Sequence, residues 1–433
     1  MSIYNLGLSA QIVKALRDKG YESATPIQQV LIPAIFGGRD IMAGAMTGTG
    51  KTAGFALPIL EELMREYQEG KHHLRAVIIV PTRELAKQVH ESFIAYGNYL
   101  PLKSVVLYGG ANMRSQVNRL KQGVDIVVST SGRLIEHIEQ KNIDLHAVRY
   151  LVLDEADTIL DMGFVYEVSR VISFLPQKRQ NILISATLSG SVKRLAEQIL
   201  YRPKLIEVDS MGTSATSVKQ IIHPVRSELK MGLLSYIIGS KNYQQVLVFV
   251  RKKQEADEVG DELNSSGLKT VVIHGDKSSG LRSRALEGFR NGKIRVLVAT
   301  DIVARGIDIP FLDVVINYDI PHVTGDFIHR VGRTGRAGRK GLAITLLSPN
   351  EEVAMRDVER LMGKAIERQE IDGYTPKVEK VAKGARKTTN RTKKVKGAFG
   401  DKKSRATPTK KRRKVTKRDG FKVLGNEKKR KRR

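Results

Sequence analysis

Short runs of apolar residues recur along most of the chain, and stretches with the apolar spacing of amphipathic helices separate most of them. Runs of four or five apolar residues between polar ones are typical of strands buried on both faces. Strands that alternate with helices in this way predict parallel sheets with crossover helices. The runs are 76–80, 104–107, 125–128, 150–153 and 181–184, followed by 246–250, 270–273, 295–299, 314–318 and 343–347.

The pattern is interrupted between the two sets of runs by residues 210–217, which are mostly Ser, Thr, Gly and Ala. Small and polar residues of this kind are typical of linkers. A chain of 433 residues is also long enough for two domains of about 200 residues each. We therefore predict an α/β protein with a first domain at 1–209, a linker at 210–217, a second domain at 218–370 and a remainder at 371–433.

The composition is that of a globular protein, with 41% hydrophobic residues and no apolar run near the roughly 18 residues that span a bilayer. The amino terminus lacks a basic region followed by an apolar core, so no secretory signal is expected. The chain contains no Cys, which excludes disulfides and thiolate metal sites and fits a reducing compartment. These features predict a cytoplasmic protein without a membrane partner.

The net charge of +29 is concentrated at the carboxyl end. Residues 377–433 contain 26 Lys or Arg and four Asp or Glu, a net charge of +22, which leaves +7 for residues 1–376. Because this segment has few apolar side chains to offset its ordering entropy, we predict a disordered tail. A basic tail can simply solubilise a protein, but this charge density favours attraction to a phosphate backbone.

Residues 45–52 read Ala-Met-Thr-Gly-Thr-Gly-Lys-Thr. A glycine-rich loop that ends in Gly-Lys-Thr lets backbone N–H groups surround a triphosphate at a helix N-terminus. In such a loop Lys51 would reach the β- and γ-phosphates, and the Thr52 hydroxyl would bind Mg²⁺. The loop predicts a site for ATP or a related nucleotide.

Residues 151–157 read Leu-Val-Leu-Asp-Glu-Ala-Asp, an apolar run that stops on three carboxylates. Alone, this pattern also fits a core strand followed by a solvated acidic loop. Acidic groups at the carboxyl end of a buried strand lie where open α/β sheets bind ligands. Together with the glycine-rich loop about a hundred residues earlier, the run predicts a Mg²⁺ ligand at Asp154 and a base at Glu155.

Two further stretches, residues 300–308 and 329–336, carry one and three Arg residues, respectively, among Gly and Thr. Clustered Arg residues often form only a solvated basic face. Here they lie in a domain without a phosphate loop of its own, which favours arginine fingers that complete a site in the first domain. Upstream, Gln28 has the paired donor and acceptor that read the N6/N7 edge of adenine, although a lone Gln is often a surface residue.

With these motifs in order, the sequence resembles the DEAD-box RNA helicases of superfamily 2, and among them the bacterial RhlE-like branch. The likeness covers about residues 1–370 and implies two tandem RecA-like domains that close over ATP and single-stranded RNA. It implies catalytic roles for Lys51, Asp154, Glu155, His329, Arg333 and Arg336. It implies nucleotide contacts by Thr25, Gln28, Thr47, Gly48, Thr49, Gly50, Lys51, Thr52 and Asp308, with Mg²⁺ on Thr52 and Asp154. Asp157, Ser185 and Thr187 match the motifs that couple hydrolysis to unwinding.

The same resemblance implies a set of RNA contacts in both domains. They are Pro81, Arg83, Gly110, Thr130, Arg133, Arg251, Arg282, Thr300 and Gly306. Backbone N–H groups and Arg or Thr side chains suit phosphates and 2′-hydroxyls, so low sequence specificity is expected. The chain departs from the family pattern at Ile3, where a Phe usually packs on adenine, and at Ser131 and Ser279, which replace a usual Pro and Gln.

These predictions describe a monomeric ATP-dependent RNA helicase that acts on single strands and short duplexes, with a role in ribosome assembly or RNA turnover. One alternative is an RNA chaperone or annealing protein that works through its basic tail, with nucleotide as a regulator. Another is a DNA translocase on a related scaffold. The presence of Glu155 and of both candidate arginine fingers argues against a chain that binds ATP without hydrolysing it.

Overall fold

Two parallel sheets lie one after the other along the chain. The computed structural model describes residues 2–45, 48–208, 218–301, 312–335 and 340–375. Within those ranges, fourteen strands form two seven-stranded sheets, and all pairings between them are parallel. The predicted α/β class with two tandem sheets is confirmed. The predicted linker at 210–217 and the tail beyond residue 375 lie outside the described residues.

The first lobe contains the sheet with strand order β3-β4-β2-β5-β6-β1-β7. Its strands are β1 (Ile41–Gly44), β2 (Ala76–Ile79), β3 (Ser104–Leu107), β4 (Ile126–Ser129), β5 (Tyr150–Leu153), β6 (Gln180–Ser185) and β7 (Lys204–Glu207). Its helices are α1 (Ala10–Asp18), α2 (Pro26–Phe36), α3 (Lys51–Arg65), α4 (Arg83–Tyr96), α5 (Met113–Lys121), α6 (Ser131–Glu139), α7 (Ala156–Asp161), α8 (Val165–Ser173) and α9 (Gly190–Ile199).

The second lobe repeats the arrangement with strand order β10-β11-β9-β12-β13-β8-β14. Its strands are β8 (Val218–Pro224), β9 (Val246–Phe249), β10 (Thr270–Ile273), β11 (Val296–Ala299), β12 (Val314–Asn317), β13 (Gly341–Leu347) and β14 (Glu367–Arg368). Its described helices are α10 (Lys230–Ser240), α11 (Lys253–Ser265), α12 (Ser279–Arg290), α13 (Thr324–Val331) and α14 (Glu352–Met362).

Helices cover both faces of the first sheet, because alternate strand residues point to opposite sides. Ala76 and Ile78 of β2 belong to one apolar core, whereas Val77 and Ile79 belong to the other. Buried on both faces, the central strands read as continuous apolar runs, which is why the sequence reveals them. No helix within the described ranges is long and apolar enough to cross a membrane.

The sequence pattern did not predict four of the strands, namely β1, β7, β8 and β14. Strand β1 is buried along its length, but its sequence Ile-Met-Ala-Gly has only two large apolar residues before the glycine-rich loop. Strands β7 and β14 lie at sheet edges, and most of their residues are exposed, so they lack an apolar run. Strand β8 mixes exposed and buried positions and ends on Pro224. Edge positions relax the requirement for apolar residues, which weakens the pattern on which prediction depends.

Ile3 is fully buried in the apolar core that also contains Ile12 and Leu16 of α1. Position 3, where the family pattern usually has a Phe packed on adenine, therefore lies inside the core in this structure. The neighbouring Tyr4 is also engaged within the protein. The Arg17 guanidinium lies over the Tyr4 ring, and the Tyr4 hydroxyl donates a hydrogen bond to the Tyr21 carbonyl oxygen. An aromatic ring at position 3 would have to fit inside a packed core, and such overpacking is destabilising.

The packed part of the second lobe continues past the predicted domain end at residue 370. Ile371 and Tyr374 pack against the core of α10, β9 and β12. The Tyr374 ring stacks on Tyr236 with 5.9 Å between the ring centroids. Residues 371–375 therefore belong structurally with the second lobe.

Candidate active site

The candidate site residues follow the carboxyl ends of parallel strands. In the first lobe, Ala45 follows β1, Pro81 follows β2, Asp154 follows β5, and Ser185 ends β6. In the second lobe, Arg251 follows β9 and Thr300 follows β11. Because parallel strands end at the same edge of a sheet, residues far apart in sequence converge there, as the rule for ligand sites in open α/β sheets requires.

The glycine-rich loop connects β1 to the N-terminus of α3. Gly48 and Gly50 have φ values of 83° and 88°, a left-handed conformation that strongly favours glycine. Gln28 lies directly behind the loop and donates from Nε2 to the Gly50 carbonyl oxygen at 3.1 Å. A Cβ atom on Gly50 would lie 2.4 Å from that nitrogen, so any other residue would displace the Gln28 amide. Position 50 therefore favours glycine for both its backbone conformation and its space.

Both polar atoms of the Gln28 side-chain amide form hydrogen bonds in this structure. Its Oε1 accepts a hydrogen bond from the Thr25 backbone N–H at 3.0 Å, and its Nε2 contacts the loop. The side chain is 1% exposed. Gln28 thus joins α2 to the phosphate loop, and its predicted reading of adenine requires at least one of these bonds to be exchanged for a bond to the base.

Lys51 begins α3 with its side chain directed into the protein. The residue is 7% exposed, and its Nζ has no hydrogen-bond partner within the described residues. A buried ammonium without a partner is costly unless a ligand supplies one. Together with the backbone N–H groups at the start of a helix, this arrangement suits the oxygens of a triphosphate. Thr52, next in the helix, is half-buried.

The turn after β5 places three carboxylates in a small volume. Asp154 is 3% exposed, and its Oδ1 accepts a hydrogen bond from the Glu155 backbone N–H at 2.9 Å. Glu155 is 4% exposed and has φ 53° and ψ 53°, a left-handed conformation that costs a non-glycine residue about 1–3 kcal/mol. The Glu155 Oε2 atom is buried and has no hydrogen-bond partner among the described residues. Backbone strain beside a buried carboxylate oxygen without a hydrogen-bond partner marks a position shaped for function rather than for stability.

Asp157 joins the end of β5 to the end of β6. Its Oδ2 accepts hydrogen bonds from the Ala186 and Thr187 backbone N–H groups at 3.0 and 2.9 Å and from the Thr187 hydroxyl at 3.2 Å. The Ser185 hydroxyl donates to the Thr187 carbonyl at 2.7 Å. Across the boundary between the lobes, His329 Nε2 lies 3.7 Å from the same Oδ2. The three residues predicted to couple hydrolysis to unwinding are thus in contact with one another and with the second lobe.

The electrostatics of these carboxylates follow from burial and from three cationic neighbours. Burial raises the pKa of Asp154 and Glu155, and the charges of Lys51 and Arg333 partly oppose this effect. Burial also acts to raise the pKa of Asp157, but attraction to His329 and Lys51 outweighs it, so that pKa lies below its usual value. Glu155 is therefore a stronger base than an exposed Glu, and Arg333 is the neighbour that most favours its ionised form.

The arginine-rich stretch begins on α13, which brings Arg333 close enough to Glu155 to affect its pKa. Arg333 is 5% exposed, and its Nε donates to the His329 carbonyl oxygen at 3.2 Å. Burial near a carboxylate of the first lobe is incompatible with a solvated basic face. The structure therefore favours the arginine-finger interpretation for this residue.

Arg330 was not predicted as a site residue, although it lies between His329 and Arg333. It is 1% exposed, and its NH2 donates to Asp301 Oδ2 at 2.7 Å while its Nε also pairs with that carboxylate. The guanidinium also lies 5.1 Å from the centre of the Phe249 ring. Arg330 thus fixes α13 to the residue that follows Thr300. The position of Arg330 within the arginine cluster was the sequence feature that could have indicated a role for it. Its burial, which the structure shows, could not be read from the sequence.

The donor set also fits Mg²⁺, which binds through one or two carboxylates and substrate phosphates. Within the described residues no cluster of three or more His, Asp or Glu could hold a metal by itself. Asp154 has only its Oδ1 engaged by the backbone, and Thr52 lies one residue from the unpaired Lys51. The residues present therefore suit an ion held jointly by protein and nucleotide.

In the first lobe, the candidate RNA contacts Arg83 and Arg133 lie against neighbouring residues, Gly110 and Ala111. A Cβ atom on Gly110 would lie 2.4 Å from NH1 of Arg83, so the glycine allows that guanidinium to approach the loop. Arg133 is 7% exposed and donates from NH2 to the Ala111 carbonyl oxygen at 3.4 Å. Thr130 occupies the N-cap position of α6, and Pro81 is buried after β2. Ser131, at the usual Pro position, is also buried and begins the helix normally.

The candidate RNA contacts of the second lobe include two Arg side chains. The Nε atoms of Arg251 and Arg282 are buried and lack hydrogen-bond partners within the described residues. Thr300 is 6% exposed, and its backbone N–H donates to the Ile273 carbonyl oxygen. Four predicted site residues, Thr47, Gly306, Asp308 and Arg336, lie outside the described residues.

Comparisons with known proteins agree with this geometry. Residues 25–195 match the family profile of the DEAD/DEAH box helicases, and residues 229–338 match the helicase conserved C-terminal domain. The ATP-dependent RNA helicase CshA of Limosilactobacillus reuteri is 39% identical over 361 residues, which cover 83% of this chain and 72% of that protein.

Solved structures show the same two-lobed fold. S. cerevisiae Dbp5 bound to RNA and ADP BeF3 has a TM-score of 0.79 and 28% identity over 86% of this chain and 96% of that one. Mss116p bound to ssRNA and AMP-PNP has a TM-score of 0.78 and 26% identity over 86% of this chain and 80% of that one. With two family profiles in sequence, a 39% identical relative and two RecA-like lobes, the chain belongs to the DEAD-box helicases of superfamily 2.

Proposed function

We propose that this protein is an RNA-dependent ATPase that uses closure of its two lobes to bend one RNA strand and separate short duplexes. The observation that carries the proposal is that Lys51 Nζ and Glu155 Oε2 of the first lobe are buried without hydrogen-bond partners among the described residues, while Arg333 of the second lobe lies close enough to act on the pKa of Glu155. No single lobe contains the whole set. A site assembled from two lobes can be switched on by whatever favours their approach.

In the proposed reaction, Glu155 orients and deprotonates the water that attacks the γ-phosphate. Lys51 binds the β- and γ-phosphates, while Arg333 and Arg336 stabilise the charge that develops during transfer. Thr52 and Asp154 would hold Mg²⁺, which neutralises phosphate charge when it is bound. Asp157 connects this chemistry to Thr187 and to His329 of the second lobe.

RNA is proposed as the activator because the candidate RNA contacts lie in both lobes. A strand that touches Arg83 and Arg133 in one lobe and Arg251 and Arg282 in the other binds best when the lobes are together. Its binding energy then favours the state in which Arg333 meets Glu155. RNA thereby stimulates hydrolysis through a population shift.

The test is steady-state ATP hydrolysis with single-stranded RNA, with DNA of the same sequence and without nucleic acid. We expect strong stimulation by RNA and little by DNA, because 2′-hydroxyl contacts distinguish the two. Equal stimulation by DNA would support the translocase alternative. Annealing of complementary strands without RNA-stimulated hydrolysis would support the chaperone alternative.

Several finer features are part of the same proposal. They are the RhlE-like branch, a monomeric state, a cytoplasmic location and a role in ribosome assembly or RNA degradation. The candidate contacts read backbone shape rather than base sequence, so they do not specify which RNA is bound. Sequencing the RNAs that crosslink to the protein in cells would therefore identify the pathway.

The carboxyl-terminal segment 376–433 has a net charge of +22, and we propose that it tethers RNA near the lobes. Truncation after Thr375 keeps the stacked Tyr374 and removes only the basic segment. We expect the RNA concentration for half-maximal ATPase to rise while the rate at saturating RNA stays nearly constant. The salt dependence of RNA binding should also flatten, by about 3.5 in log–log slope if five phosphate contacts are lost.

Two outcomes would contradict the tether. An unchanged salt slope and RNA affinity would make the segment a solubilising extension or a docking site for another partner. A collapse of the rate at saturating RNA would mean that the segment acts within the closed lobes.

A further inference from the structure

Helix α4 of the first lobe and helix α12 of the second lobe touch each other directly. Glu84 Oε1 lies 2.9 Å from NH2 of Arg282. One turn further along α4, Lys87 Nζ donates to the Ser283 hydroxyl at 3.3 Å. These contacts join the lobes through protein side chains alone, separately from the contact between Asp157 and His329 at the candidate ATP site.

The position of Glu84 favours a stable negative charge. It lies in the first turn of α4, whose N-cap residue Thr82 accepts a hydrogen bond from the Leu85 backbone N–H at 3.2 Å. A carboxylate in the first turn of a helix interacts favourably with the helix dipole. The side chains of Glu84 and Arg282 are only 13% and 8% exposed, so water screens their attraction less than at a surface pair.

Arg282 still has hydrogen-bonding capacity after it pairs with Glu84. A guanidinium group carries five N–H donors, and the Nε of Arg282 is buried without a partner in the described part of the chain. A buried donor left unpaired is costly, and a phosphate oxygen is a strong acceptor for a guanidinium group. The residue before Glu84, Arg83, is itself a candidate RNA contact that lies against Gly110.

We propose that Glu84 is a positioning residue that holds Arg282 across the boundary between the lobes, so that closure presents Arg282 to an RNA phosphate. This inference rests on the proposed function, because it assigns Arg282 to RNA. Glu84 itself needs no contact with RNA. Its carboxylate fixes one side of the guanidinium group and leaves Nε for the phosphate, which links RNA binding to closure.

The test is a double-mutant cycle with Glu84→Gln, Arg282→Gln and the double variant in the full chain. The readout is the Kd for a short fluorescein-labelled oligouridine in the presence of AMP-PNP, which requires no hydrolysis. We expect Glu84→Gln to raise this Kd about tenfold, as expected for loss of a largely buried charge pair. Because Glu84 acts through Arg282, the double variant should bind no more weakly than Arg282→Gln alone.

A matched control is Glu91→Gln, which removes the same charge from an exposed position on the same helix. It should leave the Kd close to that of the unmodified protein. Thermal unfolding of each variant separates loss of contact from loss of folding. Arg282→Lys provides a second variant that keeps the charge, and Glu84→Gln in that background should again weaken binding if the carboxylate positions the cation.

Additive effects in the cycle, or equal behaviour of Glu84→Gln and Glu91→Gln, would overturn the positioning role. These results are distinct from failure of the proposed function. If the unmodified protein shows no RNA-stimulated hydrolysis, the ATPase proposal falls, while the binding cycle still decides whether Glu84 acts through Arg282.

The absence of Cys from the chain allows closure to be followed directly. Gln198→Cys and Ser265→Cys place unique dye sites at exposed positions on α9 and α11. Energy transfer between the dyes should report less closure for Glu84→Gln than for Glu91→Gln at the same concentrations of RNA and AMP-PNP. Equal closure in the two variants would contradict the proposal.

Discussion

Replacing Glu155 with Gln is expected to preserve binding of ATP and RNA while lowering the turnover rate by a factor of about 10² to 10⁴. The amide keeps the size of the side chain but cannot accept the proton of the attacking water. Asp154 and Lys51 remain in place to bind Mg²⁺ and phosphates. The left-handed backbone at position 155 is unfavourable for Glu as well, so the substitution adds little new strain.

Binding and turnover must be measured separately to test this. ATP and RNA affinities come from equilibrium titration, and turnover comes from phosphate release at saturating RNA. Glu197→Gln, at an exposed position on α9, controls for the loss of one negative charge. Rapid multiple-turnover hydrolysis by Glu155→Gln would remove Glu155 from the proposed mechanism.

Replacing Arg333 with Ala is expected to lower RNA-stimulated hydrolysis by about 10³-fold or more, as for other arginine fingers. The same change should leave RNA affinity without nucleotide nearly unchanged. The physical reason is location: Arg333 is buried near Glu155 of the first lobe and is not among the candidate RNA contacts. Its loss removes positive charge where the reaction develops negative charge.

Arg333→Lys is a useful second variant because it keeps the charge but loses the planar fork, and it should recover only part of the rate. Arg356→Ala, at an exposed position on α14, is the matched control for removal of an Arg. Equal losses in hydrolysis and in RNA binding by Arg333→Ala would instead favour a basic face for nucleic acid.

The sequence was sufficient to predict the site residues whose placement depends on their immediate neighbours in the chain. Lys51 and Thr52 begin a helix directly after a glycine-rich loop, and Asp154 and Glu155 directly follow an apolar strand. Their functional placement depends on neighbouring residues and on the general rule for parallel sheets, so short motifs predict it. The central strands were also predictable, because burial on both faces requires continuous apolar residues.

The edge strands β7 and β14 were not predictable, because most of their residues are exposed and form no apolar run, and β1 has only two large apolar residues. The burial of Ile3 was not predictable either, because the family pattern marks position 3 only as a departure, and the structure places it in the core. A pattern aligned by position does not determine which side chains a fold buries, because burial depends on the elements that pack from elsewhere in the chain.

Contacts between distant residues were decided only by the tertiary structure. The pairs Glu84–Arg282, Asp157–His329 and Arg330–Asp301 each join segments whose sequences carry no sign of one another. Two of these pairs exist only because the lobes lie together, and the third depends on how α13 packs against the end of β11. The sequence by itself therefore determined which groups could carry the chemistry of this protein, whereas the fold decided which of them meet, because charge pairing depends on distance and burial in space.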